Sequence, residues 1–355
     1  VPHIINIRAY LIYEPDNGTE GGGMDRIQLG HGSGGRLMHQ LISEHFVPAL
    51  DIRTLNDSAV LEAFGSERIA VTTDSYVISP YFFSGGDIGR LAVCGTVNDL
   101  SVAGARPLYL TAGFIIEEGL PLDDLRRILA SMRDAAAEAG IRIVAGDTKV
   151  VERGKGDGIY INTAGFGTVE RSSNISPSNI RPGDRIIISG TIANHGMAVM
   201  AERNGITFDP PLLSDVRPLN GLTSVMLRTT DRIRVMRDPT RGGIATTLKE
   251  FAADSECCMM IYEEKITVLP GVQGACDLLG IDPLYVANEG ILVAVAAPED
   301  ADELLCAMRM SEAGRDAVII GEVLDRPSKT VLLKTGIGGS RIIDMISGDQ
   351  LPRIC

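Results

Sequence analysis

The 355-residue chain is predicted to fold as two α+β domains of similar size, and three observations carry that prediction. Apolar runs of strand type alternate with amphipathic stretches of helix type through both halves. A cluster of linker residues (Ser172, Ser173, Ser176, Pro177, Ser178, Pro182 and Gly183) interrupts that alternation near the middle. The length suits two domains of ordinary size, and a hydrophobic content of 45% can supply a core to each.

Residues 1–24 stand apart as a flexible extension. Asp16-Asn17-Gly18-Thr19-Glu20-Gly21-Gly22-Gly23 leads to Met24, the expected natural start. The stretch Ile4–Tyr13 lacks the long apolar core and small-residue cleavage site of a signal peptide. Residues 25–171 form the first expected domain. Ile69–Thr73 reads as a strand ending at Asp74, Asp87–Gly104 as a helix rich in small residues, and Leu108–Ile116 as a strand. Leu122–Ala139 is strongly amphipathic and Gly140 closes it as a helix. Ile141–Val144 reads as a strand leading into Gly146-Asp147, and Tyr160–Thr168 as a further strand.

Residues 172–345 form the second expected domain. Its strands are Arg185–Ser189 and Leu292–Ala296, followed by short ones near the end. Its helices are Gly196–Asn204, Leu219–Arg228, Arg241–Ala253 and Asp300–Met310. Residues 346–355 are read as a mobile tail carrying Cys355, because chain ends are seldom tied down.

Composition excludes several functions. A net charge of −13 argues against nucleic acid as the main partner. No apolar run reaches 18 residues, so no membrane span is expected. Six cysteines without a CxxC pair indicate neither a zinc ribbon nor a thioredoxin-type site. Cys94, Cys257, Cys258, Cys276 and Cys306 lie in largely helical, apolar surroundings and read as small core residues, a usage that fits a reducing cytoplasm.

Four acidic sites in the first half sit beside small polar residues: Asn56-Asp57-Ser58, Thr73-Asp74-Ser75, Asn98-Asp99-Leu100 and Gly146-Asp147-Thr148-Lys149. Each alone reads as a cap or turn before a ligand. Together they suit magnesium, which takes hard oxygen ligands and shares them with phosphates. Gly30-His31-Gly32-Ser33-Gly34-Gly35-Arg36 precedes a helix, and its unhindered N–H groups either wrap a triphosphate or form a plain lead-in. No GxxxxGK[ST] sequence is present, which excludes a P-loop.

In the second half, Asp238-Pro239-Thr240-Arg241-Gly242-Gly243 breaks into a helix whose first N–H groups suit an anion. Glu289, in Asn288-Glu289-Gly290, reads as a base or a turn residue. His195, at the start of a helix, reads as a cap or polar contact before a catalyst. The chain ends in Pro352-Arg353-Ile354-Cys355, a terminal thiol beside its own carboxylate that suits loading and presentation.

From about Ile27 to Cys355 these segments resemble the HypE family of hydrogenase maturation factors, which are carbamoyl dehydratases. That family lies in the superfamily of aminoimidazole ribonucleotide synthetase, selenophosphate synthetase and thiamine monophosphate kinase. The resemblance rests on His31–Gly35, Thr73–Val77, Asn98–Leu100, Ala145–Val150, Asp238–Gly243, Ala287–Gly290 and the terminal Pro-Arg-Ile-Cys, which is the HypE-specific segment.

The resemblance implies a two-domain PurM-like (AIR synthetase-like) fold whose N-terminal sheets pair into a barrel across a homodimer. It implies ATP and Mg2+ as cofactors, bound by Gly32, Ser33, Gly34, Gly35, Asp57, Asp74, Asn98, Asp99, Gly146, Asp147 and Thr148, with Asp57, Asp74, Asp99 and Asp147 on the metal. It implies ATP-dependent dehydration of a carbamoyl group on Cys355, with Lys149 and Glu289 orienting the group and moving its protons; Lys149 alternatively binds phosphate. The implied partners are the carbamoyltransferase HypF and the HypC–HypD scaffold, and the product is the cyanide ligand of the [NiFe] hydrogenase iron. Two other readings stand beside it. One is a selenophosphate synthetase-like phosphotransferase, which would carry a reactive cysteine where this chain has His31 and Ser33. The other is a non-catalytic, ATP-switched carrier of the tail thiol.

Overall fold

The computed structural model describes residues 35–47, 58–62, 68–169, 174–345 and 353–355. The readings for residues 1–24 and for Gly32, Ser33, Gly34 and Asp57 fall outside these.

The first domain begins with a short helix α1 (Arg36–Leu41), then strands β1 (Ala59–Glu62), β2 (Arg68–Tyr76), β3 (Phe82–Phe83) and β4 (Gly86–Asp87). Helix α2 (Ile88–Val102), strand β5 (Ala105–Glu117), helix α3 (Leu122–Ala139) and strands β6 (Arg142–Val151) and β7 (Ile159–Val169) complete it. The main sheet runs β1-β2-β7-β5-β6, antiparallel except for the β5–β6 pair. Helix α2 lies against β2, β5 and β7, and α3 lies against α2. Asp87 caps α2 by accepting the N–H groups of Gly89 and Arg90. The buried residues of α3 are Ile128, Met132, Ala135, Ala136 and Ala139, one stripe at helical spacing, and Gly140 ends the helix at φ 67°.

The helices cover only one face of this sheet. Burial alternates residue by residue along β7, the period of a half-covered strand. The other face carries exposed Tyr109, Ile115 and Phe166, and the edge strand β6 adds Ile143, Val144 and Val150.

The second domain contains β8 (Arg185–Ile188), α4 (Asn194–Arg203), α5 (Asn220–Thr229), β9 (Ile233–Arg237), α6 (Gly243–Ser255), β10 (Cys258–Tyr262) and α7 (Pro270–Leu279). It closes with β11 (Val293–Ala296), α8 (Ala301–Arg309), β12 (Val318–Leu324), β13 (Thr330–Lys334) and β14 (Ser340–Ile343). Its seven-stranded sheet runs β14-β13-β10-β12-β8-β11-β9. Both faces are covered: Ile186, Ile188, Val293 and Val295 join one core, and Ile187, Ala294 and Ala296 join another. That is why β8 and β11 read as unbroken apolar runs rather than alternating ones.

Several boundaries move. Asp74 lies within β2, and Gly146-Asp147 lies within β6, because pairing with β7 and β5 carries both strands past the predicted ends. Strands β9 and β10 and helix α7 were not predicted. Cys258 opens a strand rather than lying in a helix, and Cys306 is exposed while Cys94, Cys257, Cys258 and Cys276 are buried.

The segment 214–220 clasps the two domains. Asn98 Nδ2 donates to the carbonyls of Arg217 (3.1 Å) and Glu289 (3.2 Å), and Asn98 Oδ1 accepts the N–H of Leu219 at 2.8 Å. Arg90 Nε donates to the Val216 carbonyl at 3.0 Å, and Ser214 N–H to the Ser84 carbonyl at 2.9 Å.

Candidate active site

The cleft between the domains receives the chain terminus. Val77 N–H donates to a carboxylate oxygen of Cys355 at 3.2 Å and Ser79 N–H to the Arg353 carbonyl at 3.3 Å. The tail thus lies antiparallel beside the continuation of β2, as a short added strand. Arg353 Nε returns a bond to the Val77 carbonyl at 3.0 Å, and its guanidinium pairs with Asp157. Ile354 is 2% exposed and joins the core that contains Tyr76, Ile78, Val199 and Ala287, residues of both domains.

This placement puts Cys355 among charged groups. Burial pushes its thiol up to about 12, against the pull of Arg241; Glu289, Asp74 and Asp238 push the same way as burial. The docked thiol is therefore protonated and a poor nucleophile. Arg241 is oriented by a turn that needs glycine: Gly242 and Gly243 have φ of 77° and 59°. A Cβ on Gly243 would meet the Leu284 carbonyl oxygen at 2.5 Å.

Glu289 is 2% exposed, and its Oε1 has no hydrogen-bond partner among the described residues. Its main chain is fixed, since its N–H donates to Asp215 and its carbonyl accepts from Asn98. Burial raises its carboxyl well above the usual carboxylate range, with Asp238, Asp215 and Asp74 adding to the rise and Arg241 opposing it. An orphaned, proton-retaining carboxyl beside a thiol suits a substrate with N–H groups to offer.

The predicted acidic residues divide into two groups. Asp74 and Asp99 converge: both act on the buried Tyr76, and Thr72 Oγ1 donates to Asp99 Oδ2 at 3.0 Å from the same side of β2. Burial raises Asp74, while Arg241 and the Ser75 N–H lower it. Ser58, the neighbour of Asp57, donates to the Asp99 carbonyl at 3.0 Å. Two carboxylates with neighbouring hydroxyls are a hard oxygen set that fits Mg2+ shared with phosphates. Among the described residues, no group of three or more His, Cys, Asp and Glu side chains gathers closely enough to hold a metal by itself.

Gly146, Asp147, Thr148 and Lys149 lie apart, exposed on the edge strand β6. The register runs from Asp147 to Gly113, Asn162 and Ser75, three strand spacings or ~14 Å within one chain. Lys149 Nζ donates to Asp147 Oδ2 at 2.5 Å, which together with the Thr148 N–H lowers that carboxyl. Gly35 precedes α1, whose His39 bonds Glu250 of α6 at 2.8 Å, so the glycine segment leads into a helix tied to the second domain. Asn98 spends its amide on the domain seam.

Sequence reasoning missed two groups at this site. Arg203 was not singled out, yet its Nη2 donates to the Arg353 carbonyl at 2.6 Å. Arg241 was read only as part of an anion-binding turn, and its charge is the main force lowering the Cys355 thiol. His195 was noted without a partner; its Nε2 lies 2.8 Å from the Ile354 carbonyl oxygen.

Known proteins resemble this chain in both sequence and fold. The AIR synthase related protein N-terminal domain matches residues 55–169, and the AIR synthase related protein C-terminal domain matches residues 181–334. Carbamoyl dehydratase HypE of Cupriavidus necator is 52% identical over 333 residues, covering 93% of this chain and 95% of that protein. The crystal structure of a HypE–HypF complex superposes with a TM-score of 0.82 at 51% identity, over 86% of this chain and 99% of that one. HypE in complex with ATP superposes at 0.79 with 45% identity, over 92% of this chain and 99% of that one.

Proposed function

This chain belongs to the carbamoyl dehydratase HypE family of AIR synthase related proteins, and on that footing we propose that it uses ATP to dehydrate a carbamoyl group carried on Cys355. The reaction converts –S–C(O)NH2 to –S–C≡N, a source of the cyanide ligands of the [NiFe] hydrogenase iron. The observation that carries this reading is the seating of Cys355 in a cleft where its thiol feels the buried carboxyl of Glu289, whose Oε1 has no partner among the described residues.

The carbonyl oxygen of a carboxamide is a poor leaving group. Transfer of the γ-phosphoryl group of ATP to that oxygen, with loss of one N–H proton, gives an O-phosphorylated imidate and ADP. Loss of the remaining N–H proton and of phosphate then gives the nitrile. Glu289 is the proposed proton acceptor: one of its carboxyl oxygens has no partner among the described residues, and burial gives that carboxyl a high affinity for protons, which Arg241 opposes. Arg241 also faces the reacting end of the tail, where negative charge develops on the departing phosphate. Ile354 and the pairing of residues 77–79 with the tail keep water from the activated imidate.

ATP is the phosphoryl donor, a reading supported by the solved HypE–ATP complex. Asp74, Asp99 and Asp57 would hold Mg2+, whose charge offsets that of the phosphates. Asp147 and Lys149 belong to this phosphate side of the reaction. A homodimer would let the edge strand β6 of one protomer reach the cleft of its partner, and the exposed apolar face of the first sheet supports such pairing into a barrel.

The raised thiol divides the cycle in two. Loading requires a reactive Cys355, so the tail must leave the cleft to meet its carbamoyl donor, and it returns as the uncharged S-carboxamide. HypF is the proposed donor, in line with the HypE–HypF complex, and HypC–HypD is the proposed acceptor of the product. No described helix is long and apolar enough to cross a membrane, and the proposed site of action is the cytoplasm. The selenophosphate synthetase-like and carrier readings yield to the dehydratase reading given the family.

Cys355→Ala tests the proposal. The variant should bind ATP in calorimetry and form no thiocyanate with HypF, carbamoyl phosphate and Mg-ATP. Cyanide formation by that variant would overturn it.

A further inference from the structure

We infer that helix α4 is a receptor for the chain terminus, in which His195 and Arg203 act as positioning residues that read the main-chain carbonyls of Ile354 and Arg353 and so aim the loaded Cys355 at Glu289. The inference rests on the reading that Cys355 carries the carbamoyl group.

The geometry fixes the tautomer of His195. A carbonyl oxygen only accepts, so the 2.8 Å contact with Ile354 requires the proton on Nε2. A neutral imidazole has one N–H, which leaves the Nδ1 lone pair to accept from Ser214 Oγ at 2.8 Å. Ser214 Oγ in turn accepts the N–H of Val216 at 3.1 Å. A continuous relay thus runs from Val216 N–H through Ser214 and His195 to the Ile354 carbonyl. The ring is 0% exposed and stands edge-on to Phe83, with centroids 5.3 Å apart and planes at 90°. Burial keeps it neutral, against the opposing influence of Asp215 and the Ile354 carbonyl.

Arg203 supplies the second point of attachment. Its Nε donates to the Ser79 carbonyl at 2.7 Å and its Nη2 to the Arg353 carbonyl at 2.6 Å, so one guanidinium joins the tail to the segment it pairs with. His195 lies in the first turn of α4 and Arg203 is its last residue. One helix therefore holds two consecutive tail carbonyls, while Val77 N–H holds the terminal carboxylate. With the carbonyls of residues 353 and 354 and the carboxylate of Cys355 all fixed, the Cα–Cβ direction of Cys355 is set. These contacts read main chain, while the side chains of the tail are held separately, Ile354 in its apolar pocket and Arg353 by Asp157 and the Val77 carbonyl.

The test reads Cys355 protection in the full chain, with Cys306→Ser removing the exposed thiol of α8. Ile354→Asp gives the rate for an ejected tail. The protein with His195 and Arg203 intact should react with a disulfide reagent more slowly than that control. His195→Phe and Arg203→Met should each raise the rate about tenfold or more, as expected where a buried carbonyl loses its donor. His195→Gln places an amide N–H where Nε2–H was, and should stay within about threefold of the parent.

In single turnovers of carbamoylated protein, His195→Phe should slow dehydration about tenfold with ATP affinity unchanged, and His195→Gln should restore most of the rate. A parent thiol as reactive as that of Ile354→Asp would overturn the inference. So would full protection in both His195→Phe and Arg203→Met, or equal exposure in the Gln and Phe variants together with an equal loss of urea stability. Thiol protection is read without HypF or ATP, so its failure is distinct from failure of the dehydratase reading.

Discussion

Asp215 receives the backbone N–H groups of both Glu289 and Gly290, the latter at 2.9 Å, and so locks the main chain from which the candidate base projects. Contact is so close that a Cβ at residue 290 would lie 1.7 Å from the Asp215 carbonyl oxygen. Gly290→Ala must therefore displace either the 215 segment or Glu289. The expected loss of stability is about 3 kcal/mol, measured as a shift in the urea midpoint with unchanged slope.

Glu289→Gln keeps the shape of the side chain and removes its ability to accept a proton. Dehydration of carbamoylated Cys355 should fall by about 10²–10⁴-fold in single turnovers while ATP still binds. An undiminished rate would move the proton-accepting role elsewhere.

Tail docking should depend on pH through Cys355 itself. The thiol rises from 9.0 to about 12 in the cleft, so docking favours the protonated form. The contribution is fully present below pH 9.0 and is lost as pH rises towards 12, each unit in that window weakening docking about tenfold. The carbamoylated tail has no thiol to ionise and should show no such loss. Protection of the C-terminal peptide from carboxypeptidase, followed from pH 8 upward, separates the two forms.

Lys149 lies on the exposed edge strand, three strands away from the row that holds the tail. If it serves the phosphates, Lys149→Met should raise the KM for ATP about tenfold or more, the effect of losing a charge-assisted contact. The kcat measured at saturating ATP should change far less. The reverse split would assign Lys149 to the proton transfer.

The parts legible in the sequence were those fixed by local pattern. Helix α3 showed itself through its apolar stripe and the terminating Gly140. Asp74 and Asp147 were expected at strand ends, yet lie mid-strand, because cross-strand pairing extends both strands through polar residues that carry no strand signal. Strands β9 and β10 escaped notice because a five-residue strand draws its stability from neighbours distant in sequence. Cys355 and Glu289 were singled out through their motifs. Arg203 was not, because its partner is a main-chain carbonyl 150 residues away, which leaves no mark on the side-chain sequence.

The most direct measurement is the intact mass of the protein after incubation with HypF and carbamoyl phosphate, before and after Mg-ATP, with the C-terminal peptide sequenced. The account predicts one carbamoyl adduct, located on Cys355, which loses the mass of one water only when ATP is present. An adduct that persists unchanged with ATP, or an unmodified Cys355 in the presence of HypF proven active on another HypE, would contradict it.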